Sequence, residues 1–510
     1  METNKQRIYW LLMWCLVSSL GLLVVISFRT MIIRGGYYRN LAMGNKIREI
    51  VIPAPRGKIV DRKGRVVALD KFQYKNGVPG EFLGWQFEGK DLAVKINRYY
   101  PYGESMATVT GWVEKAGVEA VKNKELSGVS GKRLVEVDAL GDFMRELGGQ
   151  NPEVGKDLEL TIDAYWQEKL YQIMTGAGVK GAVVVSEPAT GKIIAMVSTP
   201  SYDPNMFTNI LDNQKIGEYL NDEKGFPLLN RVVAARYHPG SVFKIAVAIG
   251  GLESGVVSKN DTFEDTGVIK IGDYSYTNWL WNKSGGTDGM VDMVKALKRS
   301  NDIYFYRLGE KMGAEKIKEW AVKLGLGEKT GVELPGELAG VIPDPNWKWE
   351  TRREKWFLGN TFHMAIGQGD VDVTPLQINL ITNVVASGGM RCQPTIISGA
   401  EKCKDLGLKT ETLAVIKEGM MAACSSGGTA YPLVNFKTRL ACKTGTAEVG
   451  DGSKDTHAWL TAFGPAENPE ISITMVVEKG GEGSDVAAPL VGDFLKEWFE
   501  EPGTVIVRKK

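Results

Sequence analysis

One uninterrupted apolar segment constrains this chain more than any other feature of its sequence. The 21 residues from Ile8 to Phe28 (IYWLLMWCLVSSLGLLVVISF) include no charged side chain. A helix of about 20 apolar residues crosses the hydrocarbon core of a bilayer, and no later segment is apolar over such a length. The sequence therefore predicts one transmembrane helix at 8–28, a cytoplasmic tail at 1–7, and everything after about residue 35 on one side of a membrane.

Basic residues flank this segment on both sides, so they give only a weak preference for its orientation. Lys5 and Arg7 precede it, and Arg29, Arg34 and Arg39 follow it. A cleaved signal peptide is the alternative, but its apolar core would be unusually long and no small-residue cleavage site of the A-x-A kind closes it. We expect an uncleaved anchor with the remainder of the chain outside the cytoplasm.

Length and charge set limits on the rest of the chain. At 510 residues it exceeds what one hydrophobic core usually serves, so we expect at least two domains. The formal net charge of +1 gives no reason to expect a nucleic-acid partner. Short apolar runs broken by Pro and Gly predict an α+β domain at 35–155, and a strand–turn–strand pattern at 181–200 lies near the start of a larger domain at 156–500.

The larger domain combines strands near both ends with helices in the middle. Helical spacing of apolar residues occurs at 241–255, 288–301, 313–327 and 412–424. Strand patterns occur at 181–200, 439–450, 457–465 and 471–481. The sequence therefore predicts a mixed α/β domain in which helices cover one sheet.

The cysteines do not have the spacing of a metal site. Cys15 lies in the apolar segment, and the others are Cys392, Cys403, Cys424 and Cys442. With only three histidines in the chain, neither zinc nor any other cofactor is indicated. Outside the cytoplasm Cys392 and Cys403 could close a short disulfide loop, and four free thiols are the alternative.

Ser241 and Lys244 form the single S-x-x-K pattern in the chain. Positions i and i+3 share one face of a helix, so the amine lies beside the hydroxyl. The turn YHPG precedes the serine and the apolar IAVA follows the lysine. This context places Ser241 at a helix start, where free N–H groups can stabilise an oxyanion, and buries Lys244, where desolvation favours the neutral amine. A serine cap with a solvated lysine is the alternative.

Two further patterns supply groups that such a nucleophile needs. Ser300 and Asp302 close a predicted helix, where a hydroxyl and a carboxylate two residues apart can face one cleft. Lys-Thr-Gly occurs twice: Lys329 lies in a Gly-rich loop, whereas Lys443 follows the apolar LAC and is predicted at a strand edge. A strand edge can bind an extended peptide, so we assign Lys443 to the site and not Lys329.

Thr444, Gly445 and Thr446 follow Lys443. We expect the threonine hydroxyls to bind a substrate carboxylate, and the small Gly445 to permit close approach of the substrate backbone. His238 lies three residues before Ser241 and suggests a Ser–His pair, but no acidic partner is evident in the sequence and we do not expect it to be the base.

Taken together, these motifs resemble a known family. S-x-x-K, S-x-N or S-x-D, and K-T-G occur together in penicillin-binding proteins and class A β-lactamases. The segments YHPGSVFK, ALKRSNDIYFY, AIGQGDVDVTPLQ and KTGTAE, with RGKIVDRKGRVVA at 56–68, resemble the class B penicillin-binding proteins over essentially the whole chain. The resemblance implies a bacterial membrane protein whose five-stranded sheet is flanked by helices and which acts on the D-Ala-D-Ala end of peptidoglycan stem peptides.

The resemblance also implies a role for each residue. Ser241 attacks the penultimate D-Ala carbonyl, Lys244 takes its proton, and Ser300 relays a proton to the leaving amine while Asp302 and Lys443 tune that site. Thr444 and Thr446 hold the terminal carboxylate, and the backbone N–H groups of Ser241 and Thr446 form the oxyanion hole. β-Lactams trap Ser241. A polytopic glycosyltransferase of the shape-and-division family is the implied partner, contacted through the anchor and the 35–155 domain.

Several features bear on the branch of the family and on the alternatives. S-x-D at 300–302 and the sequence HAW at 457–459 resemble the elongation-type branch. The N-terminal domain of about 120 residues is too short for the glycosyltransferase domain of the bifunctional enzymes. A β-lactamase or D,D-carboxypeptidase on the same fold, or a non-enzymatic sensor or scaffold, are the competing functions.

Overall fold

The structure is a computed structural model that describes residues 2–74, 79–80, 87–88, 91–92, 94–138, 140–208, 213–450 and 453–499. The chain forms two compact units. The first contains Met1–Arg56, Asp70–Asn97 and Ser127–Lys156, and the second contains Gly57–Leu69, Arg98–Leu126 and Asp157–Lys510. Because the two units interleave in sequence, the domain boundary near residue 155 stays a prediction.

The first unit begins with the expected apolar helix. Helix α1 (Glu2–Phe28) continues through one π-helical turn (Arg29–Ile33) and is followed by α2 (Gly35–Lys46). Among the described residues, Thr3–Ile33 is the one helical stretch that is long and apolar enough to cross a membrane. A signal sequence would pass the same test of length and composition, so the direction in which the helix crosses stays a prediction.

Short strands and helices make up the next hundred residues. The strands are β1 (Ile47–Ile52), β2 (Ile59–Val60), β3 (Val66–Tyr74), β4 (Pro79–Gly80), β5 (Phe87–Glu88), β6 (Asp91–Leu92), β7 (Val94–Tyr99), β8 (Gly131–Val137), β9 (Phe143–Gln150) and β10 (Leu158–Glu159). The helices are α3 (Ala107–Thr110), α4 (Gly117–Val121) and α5 (Asn123–Leu126).

In the first unit, β1, β8 and β9 form an antiparallel sheet in that order. In the second unit, β2 pairs with β3 and β10. Helices α4 and α5 are separate because the backbone of Lys122 (φ −105°, ψ 21°) leaves the helical conformation.

The second unit holds the remaining elements. Its helices are α6 (Ala164–Gly176), α7 (Asn213–Asn221), α8 (Lys244–Glu253), α9 (Trp279–Ser284), α10 (Met293–Arg299), α11 (Asp302–Met312), α12 (Ala314–Lys323), α13 (Pro345–Arg352), α14 (Leu358–Ala365), α15 (Pro375–Ala386), α16 (Thr410–Ala423) and α17 (Ala487–Phe499). Its strands are β11 (Gly181–Ser186), β12 (Ile193–Thr199), β13 (Phe263–Asp265), β14 (Val268–Ile271), β15 (Tyr274–Thr277), β16 (Gly289–Val291), β17 (Met390–Cys392), β18 (Cys403–Asp405), β19 (Ala441–Glu448), β20 (Thr456–Gly464) and β21 (Ile471–Val477).

A five-stranded antiparallel sheet is the centre of the second unit, in the order β12-β11-β21-β20-β19. Side chains along one strand point alternately to its two faces. In β11, Ala182 and Val184 join one apolar cluster, which includes α8 and α15, whereas Val183 and Val185 join another, which includes α6 and α17. The predicted sheet flanked by helices is confirmed, and β19 is one of its edges.

One predicted helix begins later than expected. The segment at 288–301 becomes helical only at Met293, because Gly289–Val291 pairs with β13 as strand β16. Asp292 caps the helix by accepting a hydrogen bond from the Lys295 backbone N–H at 2.7 Å. The strand pair and this cap set the start of α10, and Ser300 follows the last residue of the helix.

Candidate active site

Ser241 lies in a 3₁₀ turn (Gly240–Phe243) that leads directly into α8. Gly240 has a φ of +54°, and a side chain at this position would put its first carbon 2.7 Å from the carbonyl oxygen of Thr446. Its backbone N–H donates to the Gly367 carbonyl at 2.8 Å. Glycine therefore lets the serine turn approach the edge strand β19 closely.

Lys244 is fully buried and its amine faces the end of α10. It donates to the Ser300 carbonyl at 2.8 Å, to Asp302 Oδ1 at 2.7 Å and to Ser300 Oγ at 3.4 Å. These three acceptors match the three hydrogens of an ammonium group. Burial lowers the pKa of Lys244, and the charge and hydrogen bond of Asp302 oppose that shift.

Ser300 and Asp302 face this amine because the backbone turns sharply between two helices. Ser300 ends α10 in the left-handed conformation (φ 54°, ψ 38°), which is uncommon for a residue with a side chain. Asn301 then caps α11 by accepting from the Tyr304 N–H at 2.9 Å. The structure thus brings the hydroxyl of Ser300 and the carboxylate of Asp302 to the same amine.

Lys443 approaches the same hydroxyl from β19. Its buried amine donates to Ser300 Oγ at 2.8 Å and to the Thr444 carbonyl at 2.8 Å. Burial and the neighbouring charge of Lys244 hold the pKa of Lys443 well below its usual value, and Asp302 opposes them. Ser300 Oγ thus lies between two amines. Among the described residues, neither amine hydrogen-bonds to the hydroxyl of Ser241.

The edge strand presents its backbone toward the serine turn. Gln368 Nε2 donates to the Thr446 carbonyl at 3.4 Å, so this carbonyl points away from β20. In an antiparallel pair the N–H and C=O of one residue point the same way, which puts the Thr446 N–H at the free edge too. The strand edge predicted at 443–446 is therefore present.

Two positions of the strand make close contacts within the protein. Thr444 is 7% exposed and its hydroxyl donates to Thr429 Oγ1 at 2.7 Å. A side chain at Gly445 would lie 3.0 Å from Trp459 Cβ and 3.1 Å from the Pro239 carbonyl. Other parts of the protein therefore approach Gly445 closely, and the approach of a substrate there stays a prediction.

The buried carboxylate of Asp265, which belongs to none of the sequence motifs, supports the turn at Ser300. Asp265 Oδ2 accepts from Asn278 Nδ2 at 2.9 Å, from the Asp288 N–H at 2.8 Å and from Asn301 Nδ2 at 2.8 Å. Its other oxygen accepts from the Gly267 N–H at 2.8 Å. The one hint in the sequence is Asn301, because it stands between Ser300 and Asp302. Asp265 itself is separated from them by more than thirty residues.

The second Lys-Thr-Gly binds a carboxylate of its own chain. The Thr330 N–H and hydroxyl each donate to Glu337 Oε1 at 2.6 Å, and the Gly331 N–H donates to Oε2 at 3.0 Å. Lys329 lines a cavity of about 240 Å³ with Arg391 and Lys402, apart from Ser241. The geometry supports the assignment of Lys443, and not Lys329, to the site.

His238 has an acidic partner, contrary to the expectation from sequence. Its Nδ1 lies 3.0 Å from Asp372 Oδ1 and 2.8 Å from the Val371 carbonyl. The hydrogen bond to Asp372 raises the pKa of His238. His238 also lies outside the group of contacts formed by Lys244, Ser300, Asp302 and Lys443.

Two disulfides are present, Cys392–Cys403 and Cys424–Cys442. The first is the bridge that the sequence left open, and the alternative of four free thiols is wrong. The sequence does not predict the second, because its cysteines are 18 residues apart, one just after α16 and the other in β19. It places a covalent link one residue before Lys443.

Comparisons with known proteins agree with this geometry. Residues 181–496 match the family described as penicillin binding protein transpeptidase domain, and residues 85–160 match the penicillin-binding protein dimerisation domain. The peptidoglycan D,D-transpeptidase MrdA of Acinetobacter baumannii is 34% identical over 465 residues, which cover 81% of this chain and 68% of that one.

Solved structures show the same likeness. The penicillin-binding protein PBP2 of Helicobacter pylori, in complex with MreC, has a TM-score of 0.77 at 27% identity and covers 89% of this chain and 99% of its own. A chain of a peptidoglycan synthase complex that coordinates polymerization and crosslinking has a TM-score of 0.76 at 29% identity and covers 98% and 100%.

Proposed function

Because the chain belongs to the penicillin-binding protein transpeptidases, in the elongation-type branch of class B, we propose that Ser241 is the nucleophile with which it acts. The chain is a peptidoglycan D,D-transpeptidase that cross-links stem peptides through a serine acyl-enzyme and is inhibited by β-lactams. The observation that carries the assignment of residues is the pair of buried amines, Lys244 and Lys443, that meet at Ser300 beside Asp302.

Acylation requires a neutral amine near the serine. Two fully buried amines lie beside one carboxylate that is 14% exposed, and burial disfavours two adjacent ammonium groups there. When the substrate carboxylate binds near Lys443, its negative charge favours the ammonium form of Lys443. Lys244 is then the amine without a proton, and it accepts the proton of Ser241 as Oγ attacks the penultimate D-Ala carbonyl.

Ser300 connects the base to the leaving group. Its hydroxyl is hydrogen-bonded to Lys443 at 2.8 Å and lies 3.4 Å from Lys244, so a proton taken by Lys244 can pass through Ser300 to the amine of the departing D-Ala. Asp302 holds Lys244 in place at 2.7 Å. The amine of a second stem peptide attacks the ester in the reverse sequence and restores Ser241.

Binding and charge stabilisation come from the edge strand and the serine turn. The hydroxyls of Thr444 and Thr446 hold the terminal carboxylate beside Lys443. The backbone N–H groups of Ser241 and Thr446 form the oxyanion hole, and the loss of one such donor costs about 3–4 kcal/mol in comparable sites. Placement of the Thr446 N–H at the free edge of β19 supports this assignment.

Covalent labelling tests the nucleophile. Full-length protein in detergent should bind a fluorescent penicillin irreversibly, and Ser241→Ala should abolish the labelled band. Ser275→Ala, an exposed serine of the same unit, is the matched control and should label like the unsubstituted protein. Labelling that persists in Ser241→Ala would reject the assignment, and rapid hydrolysis of the penicillin would favour the β-lactamase alternative.

A second membrane protein is the partner that we propose for this chain. The relatives described above include a PBP2 bound to MreC and a chain of a synthase complex that couples polymerization to crosslinking. We propose that a polytopic glycosyltransferase binds this chain through α1 and the 35–155 domain, with the N-terminus in the cytoplasm. Co-purification of the two proteins should be lost when α1 is replaced by an unrelated transmembrane helix and should survive Ser241→Ala.

A further inference from the structure

The six residues 425–430 (SSGGTA), here called the 425–430 segment, form a compact turn after α16. The Gly428 N–H donates to the Ser425 carbonyl at 2.9 Å, and the Ala430 N–H donates back to the Ala423 carbonyl at 3.0 Å. A side chain at Gly428 would lie 2.3 Å from the Ala423 carbonyl oxygen. The segment is therefore packed tightly on the end of its own helix.

This segment contacts two parts of the site: the residues just before Ser300 and the strand that carries Lys443. Arg299 Nη1 donates to the Gly427 carbonyl at 2.9 Å, and the Thr429 N–H donates to the Lys298 carbonyl at 3.3 Å. On the other side, the hydroxyl of Thr444 donates to Thr429 Oγ1 at 2.7 Å. Thr429 thus joins the residues just before Ser300 to the residue just after Lys443.

The Cys424–Cys442 disulfide fixes the same arrangement covalently. Cys424 immediately precedes the 425–430 segment, and Cys442 immediately precedes Lys443 on β19. Both cysteines are buried, at 7% and 0% exposure. The bridge ties the start of the segment to the strand that presents Thr444.

We propose that Thr429 is a positioning residue that orients the Thr444 hydroxyl toward the carboxylate of the acyl donor. The inference rests on the proposed role of Thr444. In the structure Thr444 donates its proton to Thr429. When a carboxylate binds, the bond reverses: Thr429 donates to Thr444 Oγ1, and the Thr444 proton turns to the carboxylate. A hydroxyl that accepts one hydrogen bond becomes a stronger donor in the hydrogen bond that it makes itself. Thr429 therefore strengthens the hydrogen bond from Thr444 to the carboxylate.

Penicillin and its methyl ester separate this role from a general structural one. They share the same lactam ring, but only the free acid offers a carboxylate. Thr429→Val keeps the shape and removes the hydroxyl, so it should lower the second-order acylation rate of full-length protein by about 10-fold for the acid and leave the ester rate unchanged. Thr429→Ser should retain the discrimination between the acid and the ester.

The disulfide offers an independent arm with a matched control. Removing both cysteines in Cys424→Ala/Cys442→Ala should lower the ratio of the acylation rate with the acid to the rate with the ester, as Thr429→Val does. The other bridge of the same unit, removed in Cys392→Ala/Cys403→Ala, should leave the ratio unchanged. Melting curves check that each variant is folded, and Thr429→Ala, which removes the hydroxyl and adds no bulk, serves if the valine variant does not fold.

The outcomes distinguish this inference from the proposed function. If unsubstituted protein is not acylated at Ser241, the proposed function itself fails. If Ser241 is acylated but Thr429→Val slows the acid and the ester equally, or changes neither, Thr429 has no positioning role. A ratio that falls in both control variants, Cys392→Ala/Cys403→Ala and Thr429→Ser, would also overturn the inference.

Discussion

The chemistry at the scale of single residues depends on amines that water cannot reach. Lys244 and Lys443 are both fully buried, yet only Asp302 balances their charge within the cluster. Removing an ammonium group from water is costly, so burial favours the neutral amine that acylation needs. Ser300 hydrogen-bonds to both amines, and in the proposed mechanism protons pass through its hydroxyl.

The pH dependence of acylation should report the pKa of Lys244. Only the neutral amine can accept the serine proton, so the acylation rate should rise with pH and level off above that pKa. Burial lowers this pKa from 10.5, so the midpoint should lie below that value. The measurement is the rate of labelling by fluorescent penicillin across pH.

Asp302→Asn tests the sign of that effect. The carboxylate of Asp302 raises the pKa of Lys244 against the effect of burial, so its removal should move the midpoint to lower pH. The position of the midpoint is independent of the maximal rate, which the substitution will also reduce. A midpoint that moves to higher pH would contradict the assignment of Lys244 as the base.

Asp265 should matter for stability more than an ordinary carboxylate. It accepts four hydrogen bonds while 3% exposed, and an asparagine would turn an N–H₂ group toward donors that need an acceptor. We expect Asp265→Asn to lower the free energy of unfolding by about 1–3 kcal/mol in denaturant titrations and to slow acylation. Asp273→Asn, at an exposed position, should change neither; equal losses in both variants would contradict the role of Asp265.

At the scale of elements, the active site depends on how closely a turn and a strand approach. Gly240 adopts a positive φ, and the Thr446 carbonyl leaves no room for a side chain there. Gly367 limits the same turn from the other side, because a side chain on it would lie 2.3 Å from the Gly240 carbonyl oxygen. These contacts place the start of α8 against β19.

Gly240→Ala should therefore cost activity as well as stability. The matched control is Gly255→Ala, since Gly255 also has a positive φ (+68°) but nothing lies within 4 Å of the added carbon. Both variants should lose about 1–2 kcal/mol of stability from the unfavourable φ. Only Gly240→Ala should also lose acylation, by about 10-fold or more, as β19 is pushed away; comparable labelling of both would contradict the close approach.

The elements that sequence reasoning found are those with long periodic patterns. The hairpin at 181–200 and the three final strands are buried on both faces, and their apolar runs make them visible. The start of α10 was misplaced because GMV at 289–291 fits helical spacing, whereas its pairing with β13 depends on residues 24 or more positions away. Local pattern cannot reveal such a pair.

The site was predictable to the extent that its residues belong to motifs. Ser241, Lys244, Ser300, Asp302 and Lys443 could be assigned from spacing, and the structure brings the last four into contact. Asp265 and Thr429 could not, because each acts through a hydrogen bond to a residue that is distant in sequence. Nothing in their neighbourhoods separates them from ordinary turn residues.

At the scale of the whole molecule, the described site residues all belong to the second compact unit, whereas α1 belongs to the first. None of the apolar window in Thr3–Ile33 is buried within the protein. A chain that lacks residues 2–34 should therefore leave the membrane fraction and still be labelled by fluorescent penicillin at Ser241. Fractionation followed by labelling checks both statements, and loss of labelling in folded truncated protein would show that acylation needs the anchor.

The second Lys-Thr-Gly has a consequence for inhibitors. Glu337 is only seven residues from Thr330, so its carboxylate is tethered to the loop at an effective concentration on the order of millimolar. A soluble acid would have to exceed that local supply before it occupied the loop. The Lys-Thr-Gly at 329–331 should therefore not compete with the site proposed at 443–446 for the carboxylate of a drug.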